Sequence, residues 1–347
     1  MADPIPSPLV TIVMPVRNEA AFIEQSLASL LTQDYPMSRV EVLVVDGMST
    51  DGTREIVEDL IGTWGQGLGV RGRGSERNPA FGTDRPSQDA HRQSIRPLPE
   101  VPSLGGLGDL GGSSPVCGSI RLLDNPGRIV PKALNIAIRE ARGRWLIRLD
   151  AHSVYPPDYL RKCIETAERT GADNVGGVCV TLPGVDTFGA RLVQALSTSS
   201  FGVGGARFRV GGHEGPADTV AFGCFRREVF DEVGLFDERL IRNQDYEFNC
   251  RLARAGKRVW LNPAIQAKYY NQGTIAGLLG QAAFTGKWNP WMWYVAPYSF
   301  SYRHSIPVAA IIAGISAAAM SFASYVGRIF FASLLLLYVV EIGRAHV

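Results

Sequence analysis

Four stretches of the chain, "LVTIVM" (9–14), "VEVLVV" running into Asp46, "SIRLLD" (119–124) and "RWLIRLD" (144–150), are nearly continuous runs of Val, Leu and Ile rather than apolar and polar residues in alternation. A strand with that pattern is buried on both faces, as in a parallel sheet covered by helices. The segments between them agree. After Pro15, the residues Phe22, Ile23, Leu27, Leu30 and Leu31 recur at helical spacing over 19–32, behind Asn18 as a cap. A second helix is predicted from about Thr53 to Ile61, capped by Asp51 or Thr50, and a third over Pro131–Arg142. Alternation of strand and helix predicts an α/β fold, a mostly parallel sheet flanked by helices. Ligands of such sheets sit at the carboxyl ends of the strands, where Pro15–Glu19, Asp46, Asp124 and Asp150 all fall.

Charge and cysteine usage narrow the function classes. The 35 basic and 33 acidic side chains leave a net charge of +2, so no nucleic-acid footprint is expected. Cys117, Cys163, Cys179, Cys224 and Cys250 show no metal-binding spacing and read as free thiols in a reducing, cytoplasmic compartment. Residues 62–118 hold 13 Gly and 6 Pro without apolar periodicity, and are expected to be a disordered insert in a domain spanning 1–275. "GLGVRG" (67–72) within it matches a dinucleotide-loop pattern but lacks the strand before and helix after that such a loop needs. The N-terminus carries no signal-peptide pattern. Residues 276–305 include "KWNPWMWYVAPYSFSYRH", an aromatic and basic belt, and 306–326 is an uncharged run long enough to cross a bilayer. A C-terminal membrane-associated helical region over 306–347 is therefore expected. Its second apolar run, "IFFASLLLLYVV", reads as cut off inside a further span. The competing reading of the first run is a buried helix of a soluble domain.

The blocks "VTIVMPVRNEAAFIEQSLASLLTQDYP", "VLVVDGMSTDGTREIV", "LDNPGRIVPKALNIAIREARGRWLIRLDAH" and "AFGCFRREVFDEVGLFDERLIRNQDYEFNCRLARAGKRVWLNP" together resemble the family 2 glycosyltransferases of the GT-A fold. More narrowly, they are similar to the ExoA-like, succinoglycan-type exopolysaccharide enzymes. The resemblance covers roughly 8–61 and 119–275. It implies transfer of a sugar from a UDP-sugar donor with inversion, glucose being the sugar suggested, assisted by Mn²⁺ or Mg²⁺. A lipid-linked or polysaccharide glycan is the implied acceptor, used by a cytoplasmic catalytic domain at the inner (plasma) membrane.

Carried onto this chain, the resemblance places Pro15, Arg17, Asn18 and Glu19 around the nucleoside. Asp46 would meet the uracil ring, and Ser49 and Asp51 would shape the loop. Asp46 and Asp51 read equally as turn and helix caps. Arg128 and Lys132 enter the same crevice and could meet the diphosphate, Lys132 being the better assigned. Asp150 stands where the family commonly begins a DxD metal motif, and His152 replaces the second acid. An imidazole there offers one nitrogen to a metal and shifts preference toward Mn²⁺, or else hydrogen-bonds backbone or acceptor. His213 in "GGHEGP" is a further metal or acceptor candidate. One-step inversion needs a general base, and Asp245 occupies the catalytic position of the family's "ED" segment, with Gln244 where Glu is common. Asn243 reads as the cap of a helix over Gln244–Ala255 closed by Gly256, which puts Asp245 in the first turn, where the helix dipole favours carboxylate. Glu247 faces Arg251 at i+4 instead. Two other classes stay open: a sugar-nucleotide pyrophosphorylase, although its glycine-rich loop is absent after the first strand, and a non-catalytic nucleotide-binding module.

Overall fold

The computed structural model describes residues 9–65, 118–183, 185–199, 206–271, 274–301 and 306–344. Most of the expected insert, including the 67–72 motif, lies outside the described residues, as do 345–347 at the C-terminus. The chain runs β1 (Val10–Val16), α1 (Ile23–Leu31), β2 (Val40–Asp46), α2 (Thr53–Gly65), β3 (Ser119–Asp124), α3 (Val130–Glu140), β4 (Trp145–Arg148) and β5 (Ser153–Val154). It continues through α4 (Tyr159–Thr170), β6 (Asn174–Leu182), α5 (Phe188–Thr198), α6 (Arg207–Val210), β7 (Gly215–Pro216), β8 (Ala221–Arg226), α7 (Glu228–Val233), α8 (Gln244–Arg254) and β9 (Val259–Tyr270). Three long helices follow: α9 (Ile275–Val295), α10 (Ile306–Ala323) and α11 (Tyr325–Arg344).

The strands form one sheet in the order β3-β2-β1-β4-β8-β6-β9-β5, with β7 on β9. The four apolar runs of the sequence are its parallel half, in register from Val10↔Val40 to Val16↔Asp46 and from Val10↔Trp145 to Val13↔Arg148. Beyond β4 the expected parallel character gives way to a mixed sheet. β8 is antiparallel to both β4 and β6, while β6 and β9 are parallel to each other. At Gly177 the β6–β9 register shifts, and an added Cβ would stand 1.9 Å from the Ile265 carbonyl oxygen, so only glycine lets the two strands approach.

Alternate residues of β1 feed two apolar layers. Ile12, Met14 and Val16 pack with Ile23, Leu27 and Leu30 of α1 and with Tyr159 and Cys163 of α4. Val13 faces Leu134 and Ala137 of α3 and Phe248 and Leu252 of α8. Phe225, Phe230, Phe236 and Phe248 interlock, with ring centroids 4.6 Å apart for Phe236–Phe248 and 5.2 Å for Phe230–Phe248. That cluster seats α7 and α8 on the sheet. The Asn135 side chain donates to the Phe236 carbonyl and accepts from the Phe236 amide, both at 2.9 Å, which ties the loop before α8 to α3. Cys163, Cys179 and Cys224 are buried thiols of the core, and like Cys250 they form no disulfide among the described residues.

The C-terminal region differs from expectation. Among the described residues no helix is long and apolar enough to cross a membrane, which corrects the span expected at 306–326. The backbone breaks at Ser324, so α10 has 18 residues, about 27 Å of helix against the roughly 30 Å hydrocarbon core. The second apolar run lies within the 20-residue α11, whose sequence carries Arg328, Glu341 and Arg344. The two helices pack against each other. α9 packs partly on the sheet domain: Met292 is buried, the Trp291 indole donates to the Arg239 carbonyl at 3.2 Å, and Asn243 donates to Asn289 at 2.8 Å.

At the amino edge of the sheet, Glu41 is 2% exposed and accepts from the Thr11 hydroxyl at 2.8 Å and from the Arg142 amide and Nε at 3.0 and 2.8 Å. Burial works to raise its carboxyl value, but the Arg142 backbone, the Thr11 hydroxyl and the Arg142 guanidinium outweigh it and hold the group lower than usual. A lowered folded value means stabilisation that is present at neutral pH and lost as pH falls through that value. Glu41→Gln is accordingly expected to cost about 1–3 kcal/mol at pH 7. Its deficit against the native chain should close in acid below the ordinary carboxyl range. Urea unfolding of both proteins at neutral and acid pH checks this, and a deficit independent of pH refutes it.

Candidate functional site

The loops that leave β1 and β2 meet at the carboxyl edge, side by side because the two strands are parallel and in register. Asn18 adopts a left-handed backbone, φ 55°, which asparagine tolerates better than most residues. It is not the cap of α1: its amide donates to the Ser49 hydroxyl at 2.8 Å, and its side-chain oxygen accepts from the Thr50 amide at 2.9 Å. Ser49 in turn donates its hydroxyl to Asp46 at 2.6 Å and its amide at 3.1 Å. Asp51 accepts from the Thr53 amide at the start of α2 and from the Ala20 amide, both at 3.1 Å. The Glu19 amide donates to the Thr53 hydroxyl at 2.7 Å. Asn18, Glu19, Ser49 and Asp51 thus lock two loops into one wall, with Pro15 at its base and Arg17 exposed on it.

Asp46 also holds this wall. It is 1% exposed, both oxygens lie within reach of Ser49, and Arg54 of α2 stands 3.7 Å away. Arg54 also pairs with Asp124, the register partner of Asp46 at the end of β3.

Asp150 follows the end of β4. Its amide donates to the Tyr155 hydroxyl at 2.8 Å and its carbonyl accepts from Ser26 at 3.3 Å, so its backbone is fixed from two elements. Its Oδ1 accepts from Arg148 Nη2 at 3.1 Å. Burial opposes the charge on Asp150, but the neighbouring charges of Arg148, His152 and Arg242 prevail and keep its carboxyl below the ordinary range. His152 Nδ1 lies 3.4 Å from Glu19 Oε1, and its ring meets Tyr269 edge-on at 5.8 Å. The first loop and the metal candidate therefore converge.

Asp245 arrives from the far side, in the first turn of α8, half-exposed. Its Oδ2 accepts from Arg148 Nη1 at 3.4 Å and its Oδ1 from the Tyr246 amide at 2.9 Å. Asn243 occupies the N-cap position, left-handed at φ 65°, with its carbonyl accepting from the Glu247 amide at 2.9 Å, but its side chain makes no capping hydrogen bond and donates to Asn289 instead. Glu247 is buried in a pair with Arg251 at 2.6 Å and accepts from Tyr298 at 2.5 Å, which removes it from the site as its spacing foretold.

Arg148 is the residue that motif reading missed. A lone arginine inside the apolar run "WLIRLD" was its signal, because a cation is not buried in a strand without partners. Lys132 sits at the same edge with its stem over Gly127, where an added Cβ would fall 2.2 Å from Lys132 Cδ, and forms no ion pair among the described residues. Arg128 is exposed beside it at φ 58°. His213 is not brought to the site. β7, just after it, pairs with Trp260 and Leu261 of β9, whereas β5, just after His152, pairs with Lys268 and Tyr269 of the same strand. That is roughly 25 Å of strand between them.

A divalent cation is implied by the resemblance, and the donor set fits one in part. Asp150 Oδ2 accepts no hydrogen bond among the described residues, and a single carboxylate with diphosphate oxygens and water is a usual way to hold Mg²⁺ or Mn²⁺. No group of three His, Cys, Asp or Glu side chains among the described residues could hold a metal by itself.

The family model described as "Glycosyl transferase family 2" matches residues 11–82 and 117–234. The chain is 30% identical over 282 residues to the succinoglycan biosynthesis protein ExoA of Rhizobium meliloti (strain 1021), covering 81% of this chain and 68% of that protein. It is 24% identical over 283 residues to a dolichyl N-acetyl-alpha-D-glucosaminyl phosphate 3-beta-D-2,3-diacetamido-2,3-dideoxy-beta-D-glucuronosyltransferase of Methanococcus voltae, covering 80% and 71%. Among solved structures, the mannosyltransferase PcManGT of Pyrobaculum calidifontis in complex with GDP-Man and Mn²⁺ is similar with a TM-score of 0.48 and 19% identity, covering 97% of this chain and 86% of that one. Matched by the family model on both sides of the insert and by a relative along most of its length, the chain belongs to glycosyl transferase family 2.

Proposed function

We propose that the protein is an inverting glycosyltransferase that moves a sugar, glucose, from a UDP-sugar to a lipid-linked or polysaccharide acceptor in exopolysaccharide or cell-envelope glycan synthesis. The observation that carries this reading is the pairing of two carboxylates from distant elements, Asp150 and Asp245, at the carboxyl edge beside the wall built from Asn18, Glu19, Ser49 and Asp51.

In this mechanism Pro15, Arg17, Asn18, Glu19, Ser49 and Asp51 frame the nucleoside, and Asp46, bonded to Ser49, meets the uracil ring. Lys132, without an ion pair among the described residues, reaches the diphosphate. Asp245 takes the proton of the acceptor hydroxyl as its oxygen attacks the anomeric carbon and the bond to UDP breaks, so the configuration inverts in a single displacement. A divalent cation held by Asp150, with His152 as a second donor, would neutralise charge developing on the leaving diphosphate. Location in α8 suits Asp245, because the helix dipole favours the carboxylate form a base needs.

The lipid-linked acceptor is supported by the dolichyl phosphate in the name of the Methanococcus voltae relative, and the polysaccharide context by that of the succinoglycan protein. Support for a membrane partner comes from α9–α11, where Tyr294 is 77% and Phe322 91% exposed. Exposed aromatic side chains of that kind suit contact with the interfacial layer of a membrane.

Asp245→Asn is expected to bind UDP-sugar as the native protein does and to lose about 10²- to 10⁴-fold in turnover; isothermal titration with UDP and a lipid-linked acceptor assay measure the two separately, and native-like turnover discards the base. If His152 supplies nitrogen to the metal, Mn²⁺ will support activity better than Mg²⁺ and His152→Asp will narrow the difference. An unchanged preference in His152→Ala assigns the metal to Asp150 and the substrate alone. Absence of binding and of hydrolysis with every UDP-sugar tried, under either metal, would return the chain to a non-catalytic module.

A further inference from the structure

Arg148 ends a strand whose neighbours Ile147 and Leu149 are fully buried, and its own side chain is 16% exposed. Placing a guanidinium there is costly unless its charge and its hydrogen-bond donors are met. Both terminal nitrogens are met by carboxylates, Nη2 by Asp150 at 3.1 Å and Nη1 by Asp245 at 3.4 Å, while the buried Nε has no partner among the described residues. The side chain thus holds two acids at the expense of its third donor position.

We propose that Arg148 is a positioning residue of the transfer site: its single guanidinium sets the separation of Asp150 and Asp245 and, by occupying Asp150, makes divalent-cation binding depend on the donor diphosphate. This rests on the reading of Asp150 as the donor-side anchor and Asp245 as the base.

Three observations support it. First, the two acids come from elements far apart in sequence, the end of β4 and the start of α8, and Arg148 is the ion-pair partner of Asp245 among the described residues. Second, a fixed positive charge hydrogen-bonded to Asp150, with Arg242 and His152 also acting on that carboxylate, repels an incoming cation. A diphosphate brings the negative charge that offsets this repulsion, so cation and nucleotide load together. Third, when Asp150 turns to a cation, Arg148 keeps Asp245 as a partner and need not be stranded as an unpaired buried charge. A planar fork presents two separate nitrogens to two carboxylates in a fixed geometry, whereas an ammonium is a compact, freely rotating point charge.

The test is titration of Mn²⁺, followed by its electron paramagnetic resonance, into the full chain with and without UDP, for the native protein, Arg148→Met and Arg148→Lys. In the native protein UDP should tighten Mn²⁺ binding by at least about tenfold. In Arg148→Met, Mn²⁺ alone should bind more tightly than it does to the native protein without UDP, and the UDP effect should shrink by at least about threefold. Arg148→Lys keeps a cation in the strand and guards against loss of the fold. Its ammonium should preserve part of the UDP dependence, while turnover at saturating donor falls and KM for the donor holds, because the base is no longer set. Equal Mn²⁺ affinity and equal UDP dependence in the native protein and both variants would overturn the proposal while leaving the donor-site reading intact. A native protein that binds no UDP under any Mn²⁺ concentration overturns the donor-site reading and this inference with it.

Discussion

The ladder that holds β1 between β2 and β4 is the constraint on which everything else depends. A strand covered by helices on both faces has no water to satisfy its peptide groups, so its N–H and C=O groups must pair with neighbouring strands. Parallel pairing then sends the loops after β1, β2 and β4 to one edge. Register carries them there as a set: Val16 lies beside Asp46, and Val13 beside Arg148. The site is a consequence of where a fully buried sheet can afford to place polar chain.

At that edge, the energetics turn from apolar burial to charge compensation. Asp46, Asp150 and Glu19 are screened from water to different degrees, and each is answered by a specific donor: Ser49, Arg148 and His152. Arg148 is the sharpest case, since its charge, set in an apolar strand, is answered by two acids from distant elements. The same requirement at the opposite edge produces the Glu41 cluster with Thr11, Arg121 and Arg142. The two charge clusters face opposite ends of one apolar sheet and differ in access: Glu41 is closed by protein on every side, whereas Asp245 remains half-exposed.

Much of this was legible before any coordinates because strand burial leaves a local trace. The runs ending at Asp46, Asp124 and Asp150 mark both the strands and the edge that carries ligand chemistry. Glu247 could be set aside from its i+4 relation to Arg251 alone. Roles that depend on a partner distant in sequence were not legible in the same way. Asn18 has the composition of a helix cap yet is bound by the loop after β2, and Asn243, though at the N-cap position of α8, turns its side chain to α9. His213 has suitable chemistry but is carried to the other end of β9 by the pairing of β7. Arg148 showed only as an anomaly in an apolar run, since the second acid it serves lies in another segment.

The sequence by itself determined the α/β layering, the parallel half of the sheet and the acids at its edge, because periodicity and burial are properties of short segments. Tertiary structure alone decided the antiparallel entry of β8, the join between the two carboxyl-end loops and the convergence of Asp150 with Asp245 on Arg148. It also decided that α10 stops at Ala323, short of a bilayer's thickness, where hydropathy had read an unbroken span. Each of these is set by contacts between residues far apart in the chain, and local pattern carries no record of them.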